Sequence, residues 1–253
     1  MHRFFSEEVN IKESTVRLSG GDAHHAAQVL RLSVGDLIMV GTGNRDYTCR
    51  ITSISPEEVL GTIEDISGNA AELSVEITLY QGFPKGDKLE LIIQKAVELG
   101  AASIVPVWMT RSVVKMDQAK AEKRRLRYQA ISESAAKQSG RGVIPEVGTF
   151  LSMKEAVKAA EKHDLILLPY ENAKGMRYTK DVLKKLEKGA KEKTIRSVGI
   201  FIGPEGGFEE SEIDALRKIG AEVITLGHRI LRTETAGMML LSVLGFLLDR
   251  DAD

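Results

Sequence analysis

The pattern of apolar residues changes about a third of the way along the chain, and this change constrains the fold more than any other feature. Residues 1–80 hold four short apolar segments separated by turn residues, which is typical of a small β-rich domain. The four segments are Asp36–Val40, Tyr47–Ile54, Val59–Ile66 and Leu73–Tyr80. From about residue 84, helices alternate with single apolar strands, which indicates an α/β domain with a mainly parallel sheet. The sequence therefore predicts two domains that meet near residues 70–80.

The spacing of the apolar residues also places individual elements. In the first domain one helical patch, Asp22–Leu32, interrupts the strands, and the alternation of Tyr47, Cys49 and Ile51 with polar residues predicts a strand with one wet face. In the second domain the predicted helices are Lys88–Leu99, Asp117–Ser139, Lys154–Lys162, Lys180–Gly189, Glu210–Ile219 and Thr233–Leu248. The predicted strands between them are Ser103–Val107, Asp164–Leu168, Ser197–Ile202 and Glu222–Leu226.

The composition excludes several classes of protein. Hydrophobic residues make up 43% and charged residues 28% of the 253 residues, so disordered, collagen-like and coiled-coil chains are set aside. The longest apolar stretch, Met238–Leu248, is shorter than the roughly 20 residues that a membrane helix needs. The first eight residues include charged side chains and lack the apolar core of a signal peptide, so a cytoplasmic location is expected. The single cysteine, Cys49, excludes an internal disulfide and a cysteine-built metal site.

The net charge of −1 conceals an uneven distribution. Residues 81–141 hold 12 Lys and Arg against 6 Asp and Glu, and residues 142–200 hold 12 against 8. The densest run comprises Lys123, Arg124, Arg125 and Arg127. A clustered positive field of this kind attracts phosphates. A solvated helix face explains the run equally well, so charge alone leaves both interpretations open.

A glycine-rich turn follows one of the predicted strands. Strand Ser197–Ile202 leads into Gly203-Pro-Glu-Gly-Gly207 before the next helix. Ligands of parallel α/β sheets bind beyond the carboxyl ends of the strands, and glycine lets the backbone approach a ligand closely. The turn lacks the Lys-Ser/Thr pair of a phosphate-binding P-loop. Taken alone, such a segment is also an ordinary turn.

A second unusual loop follows the next predicted strand. His228-Arg-Ile-Leu-Arg-Thr-Glu-Thr-Ala236 leads into the last helix. Ile230 and Leu231 are out of place in a solvated loop unless they cover something flat, such as an aromatic ring. Thr233 is a suitable cap for the helix that follows. The two loops together predict a ligand site at the carboxyl edge of the sheet.

Five separated motifs occur in order along the chain. They are Gln94-Lys-Ala-x-Glu-Leu-Gly100, Arg111-Ser, Glu133-x-x-x-x-Gln138-x-x-Arg141, Gly203-Pro-Glu-Gly-Gly-Phe and Leu226-Gly-x-Arg-Ile-Leu-Arg-Thr-Glu-Thr-Ala236. The N-terminal Arg3-Phe-Phe and the segment His25-x-x-x-Val29-Leu-Arg31 accompany them. Together these residues resemble the RsmE family of ribosomal RNA methyltransferases over nearly the whole chain. One departure is Glu209, where the family commonly has a serine or similar helix cap.

The resemblance implies an α/β fold of the SPOUT superfamily. It implies a PUA-like β-barrel RNA-binding domain over residues 1–72 and a methyltransferase domain over residues 73–253 with a deep trefoil knot near its C-terminal end. It further implies a homodimer that binds S-adenosylmethionine in the knot and methylates N3 of one uridine in 16S ribosomal RNA within the small subunit. Threaded chains are nearly absent from proteins, so the knot rests on the resemblance alone.

Methylation at a uracil nitrogen requires removal of the N3 proton. The site needs either a base or cations that stabilise the developing anion. The catalytic candidates are Arg232 and Glu205. Glu205 has the alternatives of holding its own loop or contacting the cofactor, and Arg232 has the alternative of binding a phosphate.

The remaining candidates form two groups and involve no metal, because a sulfonium donor is already activated. The cofactor group surrounds the two loops and comprises Leu168, Gly203, Gly206, Leu226, Gly227, Ile230, Leu231, Thr233 and Ala236. The RNA group is polar or cationic and comprises Arg3, Arg31, Lys95, Arg111, Gln138 and Arg141. Cys49 lies on a predicted strand and is not expected to act as a nucleophile.

Two other functions stay open at this stage. The same fold and cofactor would serve methylation of a ribose 2′-hydroxyl or of another base. A noncatalytic assembly factor that binds ribosomal RNA would also explain the loops. The stretch Gly41-Thr-Gly43 lies between β segments without a following helix, so it does not indicate a dinucleotide-binding enzyme.

Overall fold

A computed structural model describes residues 1–6, 8–43, 45–112, 117–171, 173 and 175–249. The chain divides into two compact units. The first comprises Met1–Glu72 together with Ala136–Ile144, and the second comprises Leu73–Ala135 and the chain from Pro145 onward. The boundary between residues 72 and 73 coincides with the one chosen from the sequence, but residues 136–144 group with the first unit.

The first unit is built on a six-stranded sheet. Its strands are β1 (His2–Phe5), β2 (Val9–Asn10), β3 (Thr15–Ser19), β4 (Leu37–Thr42), β5 (Arg45–Ile54) and β6 (Glu58–Gly68). Their order in the sheet is β1-β4-β5-β6-β3-β2, and only the β1–β4 pair is parallel. The predicted helical patch is present as α1 (Gly20–His24), which continues into a π-helical turn at His25–Val29.

The alternation predicted for β5 is confirmed. Tyr47, Cys49 and Ile51 are buried in the core of the first unit, where Phe4 and Val16 also lie. Burial raises the pKa of the Cys49 thiol to about 11, with a smaller contribution from the charge of Glu64. A thiol this weakly acidic stays protonated at neutral pH and is a poor nucleophile.

The second unit contains a seven-stranded sheet in which every strand pair is parallel. Its strands are β7 (Glu76–Gly82), β8 (Ser103–Trp108), β9 (Glu146–Val147), β10 (Leu151–Ser152), β11 (Leu165–Pro169), β12 (Ser197–Ile202) and β13 (Glu222–Ile224). The main path is β10-β8-β7-β12-β11-β13, and β9 pairs with β8. This confirms the predicted α/β class with a mainly parallel sheet.

Six helices accompany this sheet. They are α2 (Lys88–Glu98), α3 (Gln118–Ser139), α4 (Met153–Ala160), α5 (Met176–Lys191), α6 (Glu210–Lys218) and α7 (Thr233–Leu248). Helix α7 contacts α2 and α5, and its last carbonyl, that of Leu248, accepts a hydrogen bond from the Ser74 hydroxyl at 3.0 Å. Within the described residues, no helix combines the length and apolar character required to cross a membrane.

The sheet topology places several loops at one edge. Strand β11 lies between β12 and β13, so the strands before the two predicted loops are not neighbours in the sheet. Because the strands are parallel, the loops that follow β7, β11, β12 and β13 all leave from the same carboxyl edge. The core below them includes Tyr80 and Phe201, whose rings stack at 4.5 Å between centroids.

Candidate functional site

The glycine-rich turn and the start of α7 are joined directly. The Thr233 hydroxyl donates to the Gly203 carbonyl oxygen at 2.6 Å. Thr233 Oγ1 in turn accepts a hydrogen bond from Gln81 Nε2 at 2.8 Å. One hydroxyl therefore joins three segments: the end of β7, the loop after β12 and the end of the loop after β13. These segments meet although β11 separates β12 from β13 in the sheet.

Gln81 is a fully buried amide at the carboxyl end of β7. Its Nε2 also donates to the Gly82 carbonyl at 3.0 Å, whereas its Oε1 accepts no hydrogen bond from the described residues. A buried amide oxygen without a donor lowers stability by about 1–3 kcal/mol. Sequence analysis missed Gln81, although a glutamine at the end of an apolar strand, directly before Gly82, was a usable signal.

The glycine-rich loop has no room for larger side chains. A Cβ on Gly203 would lie 3.2 Å from the Gly207 backbone and from the Phe208 ring. Gly207 has a φ of +70°, which favours glycine. Gly82 meets the loop from β7, because a Cβ on Gly82 would lie 2.6 Å from Pro204. Close packing therefore favours glycine most strongly at position 82, the positive φ favours it at position 207, and a Cβ at position 203 would require its neighbours to shift.

Arg111 fixes the glycine-rich loop from the side. Its Nη1 donates to the Gly206 carbonyl at 2.9 Å, and its Nε donates to Glu209 at 2.9 Å. A Cβ on Gly206 would approach the Arg111 side chain within 2.9 Å. Arg111, which the sequence predicted as an RNA ligand, therefore supports the glycine-rich loop. Glu209, where the sequence departs from the family pattern, is the first residue of a capping box with Glu212 at the start of α6.

Glu205 is tied to the loop between β7 and α2. Its carboxylate accepts a hydrogen bond from Lys88 Nζ at 2.7 Å and from the Lys85 backbone N–H at 3.2 Å. Partial burial acts to raise the pKa of Glu205, but the Lys88 hydrogen bond and the backbone donors outweigh it and lower the pKa. A carboxylate with a lowered pKa is a weak base. These contacts favour the alternative in which Glu205 holds its own loop.

Lys88 is a second residue that sequence analysis missed. Besides its bond to Glu205, its ammonium lies 3.9 Å from Glu234 Oε2, a buried atom that accepts no hydrogen bond within the described residues. Lys88 is therefore positioned between an acid of the glycine-rich loop and an acid in the first turn of α7. Its place at the start of α2 was the available signal, because α2 follows the loop after β7, which shares the carboxyl edge.

Hydrogen bonds hold the start of the loop after β13, whereas its tip is exposed to solvent. The Thr225 backbone N–H donates to Thr179 Oγ1 of α5 at 3.0 Å, and the Gly227 N–H donates to Thr225 Oγ1 at 3.2 Å. Gly227 has a φ of +111°, where a side chain would be strained. At the tip, Ile230 is 90% exposed. An apolar side chain held in water beside a glycine turn is suited to cover a flat ring.

Arg232 lies at the end of this loop, immediately before α7. Its side chain is exposed, and none of the described residues forms a hydrogen bond or an ion pair with its guanidinium. Its backbone carbonyl accepts the hydrogen bond from the Ala236 N–H at 2.9 Å, so the residue is anchored through its main chain. An anchored backbone with a free cation is the arrangement expected of a residue that meets a substrate.

The residues of the two loops fit the adenosyl cofactor implied by the resemblance. The main-chain groups of Leu226, Ile230 and Leu231 have no hydrogen-bond partner in the described part of the chain, so they remain available to the edges of a base or ribose. Ile230 supplies an apolar cover, and the glycines permit close approach. Ala236 lies one turn into α7 and is half-buried.

The predicted role of Leu168 needs correction. Its side chain is fully buried in the hydrophobic core of the second unit, and its backbone pairs in register with Val223 of β13. A central strand of a parallel sheet is covered on both faces, so the side chain cannot form a wall of the site. At this strand end the half-buried Pro169 and Tyr170 follow Leu168 toward the carboxyl edge.

Two predicted RNA ligands are buried ion-pair partners in the first unit. Arg3 is paired with Asp46 at 2.6 Å and is 12% exposed. Arg141 is paired with Glu72 at 2.6 Å and is 3% exposed. Breaking a buried pair of this kind is strongly destabilising. We therefore correct the interpretation of Arg3 and Arg141 from RNA contact to structural support.

The other predicted RNA ligands are more accessible. Arg31 and Gln138 are exposed, and Arg31 has a φ of +54°. Lys95 forms an ion pair with Glu98 at 2.8 Å, one turn further along α2. The surface pair leaves Lys95 available, since such pairs contribute at most about 1 kcal/mol. Among the described residues, no group of three His, Cys, Asp or Glu side chains is arranged to hold a metal ion.

Comparison with known proteins agrees with the geometry. Residues 71–245 match the model of an RNA methyltransferase domain, and residues 18–64 match that of an RNA methyltransferase PUA domain. A Bacillus subtilis protein named ribosomal RNA small subunit methyltransferase E is 34% identical, over 97% of this chain and 96% of that protein.

Two solved structures share the fold. One is a ribosomal RNA small subunit methyltransferase E from Neisseria gonorrhoeae bound to S-adenosyl methionine, with a TM-score of 0.80 and 30% identity over 98% of both chains. The other is a putative methyltransferase from Legionella pneumophila in complex with the same cofactor, with a TM-score of 0.79 and 30% identity over 96% of both chains. The chain belongs to the ribosomal RNA small subunit methyltransferase E family.

Proposed function

We propose that this chain is an S-adenosylmethionine-dependent methyltransferase that modifies N3 of one uridine in the 16S ribosomal RNA of the small subunit. The observation that carries the proposal is the junction at Thr233, which joins the glycine-rich loop to the base of the Ile230 loop. The exposed guanidinium of Arg232 lies next to that junction in the sequence. The named relatives and the cofactor-bound neighbours support the same activity.

The loops after β12 and β13 would hold the cofactor, which supplies an activated methyl group on sulfur. Main-chain groups of Leu226, Ile230 and Leu231 bind the nucleoside edges, and the Ile230 side chain excludes water from one ring face. Gly203 and Gly227 give the backbone its close approach. Holding the two reactants in a fixed orientation accounts for much of the acceleration expected of such a site.

Loss of the N3 proton to solvent water leaves negative charge on the uracil ring. Arg232 has a guanidinium that no described residue neutralises, so it stabilises that charge as it develops. Glu205 keeps its carboxylate paired with Lys88, and its lowered pKa makes it a weak acceptor for the proton. We therefore assign the larger catalytic role to Arg232 and a positioning role to Glu205.

We further propose the finer features of the fold that the family implies. The six-stranded sheet of the first unit forms the PUA-like β-barrel, and the segment that carries α7 is threaded into a SPOUT-type trefoil knot.

Helix α7 has Phe246 89% exposed, although its opposite face is buried. This favours a homodimer in which α7 contributes to the interface. The substrate places the reaction in the cytoplasm.

A methyl-transfer assay on small ribosomal subunits that lack the modification tests the proposal. Wild-type protein is expected to yield 3-methyluridine on mass analysis of the nucleosides. Arg232→Ala is expected to keep cofactor affinity but slow transfer by about 100-fold or more, whereas Gly203→Val is expected to abolish binding. Formation of a ribose 2′-O-methylated nucleoside, or calorimetry showing that the wild type does not bind the cofactor, would contradict the proposal.

A further inference from the structure

Half of the cations in the basic run on α3 have a carboxylate partner among the described residues. Arg125 is paired with Glu122 at 2.7 Å, and Arg127 is paired with Glu90 at 2.7 Å. Arg124 lies 5.8 Å from the centre of the Phe83 ring, a cation–π contact. In this run, therefore, acids pair with two of the four cations and an aromatic ring contacts a third, which leaves Lys123 without a partner in the part of the chain that the structure describes.

Helix α5 carries a row of cations of a different kind. The row, which we call the α5 stripe, consists of Arg177, Lys180, Lys184, Lys188 and Lys191. At 100° per residue these five positions fall within an arc of about 80°, and the row is about 21 Å long. All five side chains are exposed, and the opposite face of α5 buries Val182 and Leu186.

Most of the charge on the α5 stripe has no internal counterion. Arg177, Lys180 and Lys184 form no ion pair with any carboxylate of the described residues. Lys188 and Lys191 do have partners, Glu192 at 3.7 Å and Glu187 at 2.8 Å, but both pairs are at the surface. Exposed pairs of this kind contribute little. Like charges three and four residues apart repel each other, and a bound anion relieves that repulsion.

The α5 stripe begins next to the proposed reaction site. Thr179 Oγ1, in the first turn of α5, accepts from the Thr225 N–H at 3.0 Å and donates to the Thr225 carbonyl at 3.2 Å. The Met176 Cε atom lies 3.8 Å from the place that a Cβ on Gly227 would occupy. The contacts of Met176 and Thr179 place the N-terminal end of α5 against the loop proposed to hold the cofactor, so the row starts at this end of the helix and leads away from the loop.

We propose that the α5 stripe binds the phosphate backbone of the ribosomal RNA strand that flanks the target uridine. This inference rests on the proposed function for its substrate. A straight row of exposed cations, of which Arg177, Lys180 and Lys184 have no ion pair within the described residues, matches the regular charges of a nucleic acid backbone. A membrane is a poor fit, because an interfacial helix inserts an exposed apolar face, and the apolar face of α5 is buried in the core of the second unit.

The test compares two variants that lose the same charge from the same unit. Arg177→Gln/Lys180→Gln/Lys184→Gln removes the unpaired part of the α5 stripe. The matched control, Lys154→Gln/Lys158→Gln/Lys162→Gln, removes three exposed lysines on and just after α4. The probe is protein-free 16S ribosomal RNA, titrated at several salt concentrations. S-adenosylmethionine affinity, measured by calorimetry, reports the integrity of the cofactor site.

The α5 variant is expected to bind the RNA about 10- to 100-fold more weakly at about 0.1 M salt. The slope of log K against log salt should decrease in magnitude by about 2, because each lost phosphate contact removes about 0.7 to 0.9. The α4 control should keep at least a third of wild-type RNA affinity and the wild-type slope. Both variants should bind the cofactor as the wild type does.

Two results would overturn the inference. One is an α5 variant that matches the α4 control in affinity and slope, which would show only a general effect of charge. The other is displacement of the RNA by a polyglutamate peptide at equal charge concentration, which would assign the surface to acidic proteins. The two proposals can also fail separately. If the wild type does not methylate small subunits but the α5 variant still loses RNA affinity selectively, the proposed function is wrong and RNA binding by the α5 stripe is supported.

Discussion

At the residue scale, the Thr233 hydroxyl is the atom on which the candidate site depends most. Thr233→Val keeps the shape of the side chain but removes the donor to Gly203 and the acceptor for Gln81. Leaving those buried groups unpaired lowers stability by about 1–3 kcal/mol. We expect S-adenosylmethionine affinity to fall by about tenfold or more in calorimetry, because the two loops lose their shared anchor.

Thr235→Val is the matched control for this prediction. Thr235 lies two residues further along α7, and its side chain is exposed. Its replacement removes a hydroxyl of the same kind without touching the junction. Equal cofactor affinity of the Thr233→Val and Thr235→Val proteins would refute the anchoring role.

His163 predicts a pH dependence of stability. The pKa of His163 is lowered to about 4, mainly by burial and to a smaller extent by the charge of Lys162, while the charge of Asp164 opposes the shift. Its Nε2 is 3.0 Å from the Tyr80 hydroxyl, and its buried Nδ1 has no partner among the described residues. The protonated ring would therefore hold an unpaired buried N–H.

The sign of the effect follows from proton uptake. The ordinary histidine pKa is 6.5, so between pH 6.5 and about 4 the unfolded chain binds a proton that the folded chain does not. The free energy of unfolding should therefore decrease by about 2 kcal/mol as the pH falls through this window. Urea unfolding at pH 7 and pH 4.5 measures it. His163→Gln, which cannot titrate, should lose less stability, and an identical loss would refute the assignment.

The sequence indicates the role of a residue when local main-chain geometry determines that role. It does not indicate the role when a partner far away in the sequence determines it. The glycines of the first loop follow from the needs of a strand-to-helix turn, but Thr233 is not the predicted helix cap. Arg232 is the N-cap of α7, and the Thr233 hydroxyl bonds to Gly203 and Gln81 instead. Arg3 and Arg141 were misassigned because their carboxylate partners, Asp46 and Glu72, lie 43 and 69 residues away. A cation looks the same in a sequence whether it meets a phosphate or a buried acid.

At the scale of elements, the first residue of α2, Lys88, holds the glycine-rich loop. Lys88→Met removes the ion pair to Glu205 and the charge near Glu234. We expect the KM for S-adenosylmethionine to rise about three- to tenfold, because two loops and the start of α7 lose a common cation. The pKa of Glu205 should rise toward its ordinary value.

Lys85→Met is the control for this prediction, because Lys85 contacts Glu205 only through its backbone N–H. The Lys85→Met variant loses one positive charge from the loop before α2 but keeps the hydrogen bond from its backbone N–H to Glu205. Steady-state kinetics with both variants separates the effect of losing the Lys88–Glu205 contact from the general effect of losing a positive charge. A Lys85→Met protein with the same rise in KM would refute the role of Lys88.

Elements with strong apolar periodicity were predicted closely. Strand β12 and helix α7 have the bounds expected from the sequence. The two-residue strands β9 and β10 were not predicted, because they contain too few residues to show a period. Helix α5 begins four residues earlier than expected, at Met176, where Thr179 contacts the loop after β13. Tertiary contact, which a local pattern does not contain, sets that boundary.

At the scale of the whole molecule, the exposed end of α7 predicts self-association. Phe246→Glu places a charge where we propose that two copies meet, and burying an unpaired charge is strongly unfavourable. We expect sedimentation equilibrium to show the mass of two chains for the wild type and of one for the variant. Leu126→Glu changes another exposed apolar residue, on α3, and should leave the mass unchanged. A wild type that sediments as one chain would contradict the proposed dimer.

The change of apolar pattern predicted two domains, and the compact units of the structure also divide between residues 72 and 73. The return of residues 136–144 to the first unit was not visible. It depends on contacts such as the Asn69 amide with the Gly140 carbonyl at 3.3 Å and the Gly142 N–H with Glu72 at 2.9 Å. Such long-range hydrogen bonds leave no periodic trace in a sequence.

The central claim is that the loops after β12 and β13 together hold the adenosyl group. Calorimetric titration of S-adenosylmethionine into wild type, Gly203→Val and Gly68→Val tests it most directly. Gly203 is crowded by Gly207 and Phe208, whereas a Cβ on Gly68 would meet open space. The account predicts binding by the wild type and by Gly68→Val and none by a folded Gly203→Val. Wild-type affinity in the folded Gly203→Val protein would contradict it.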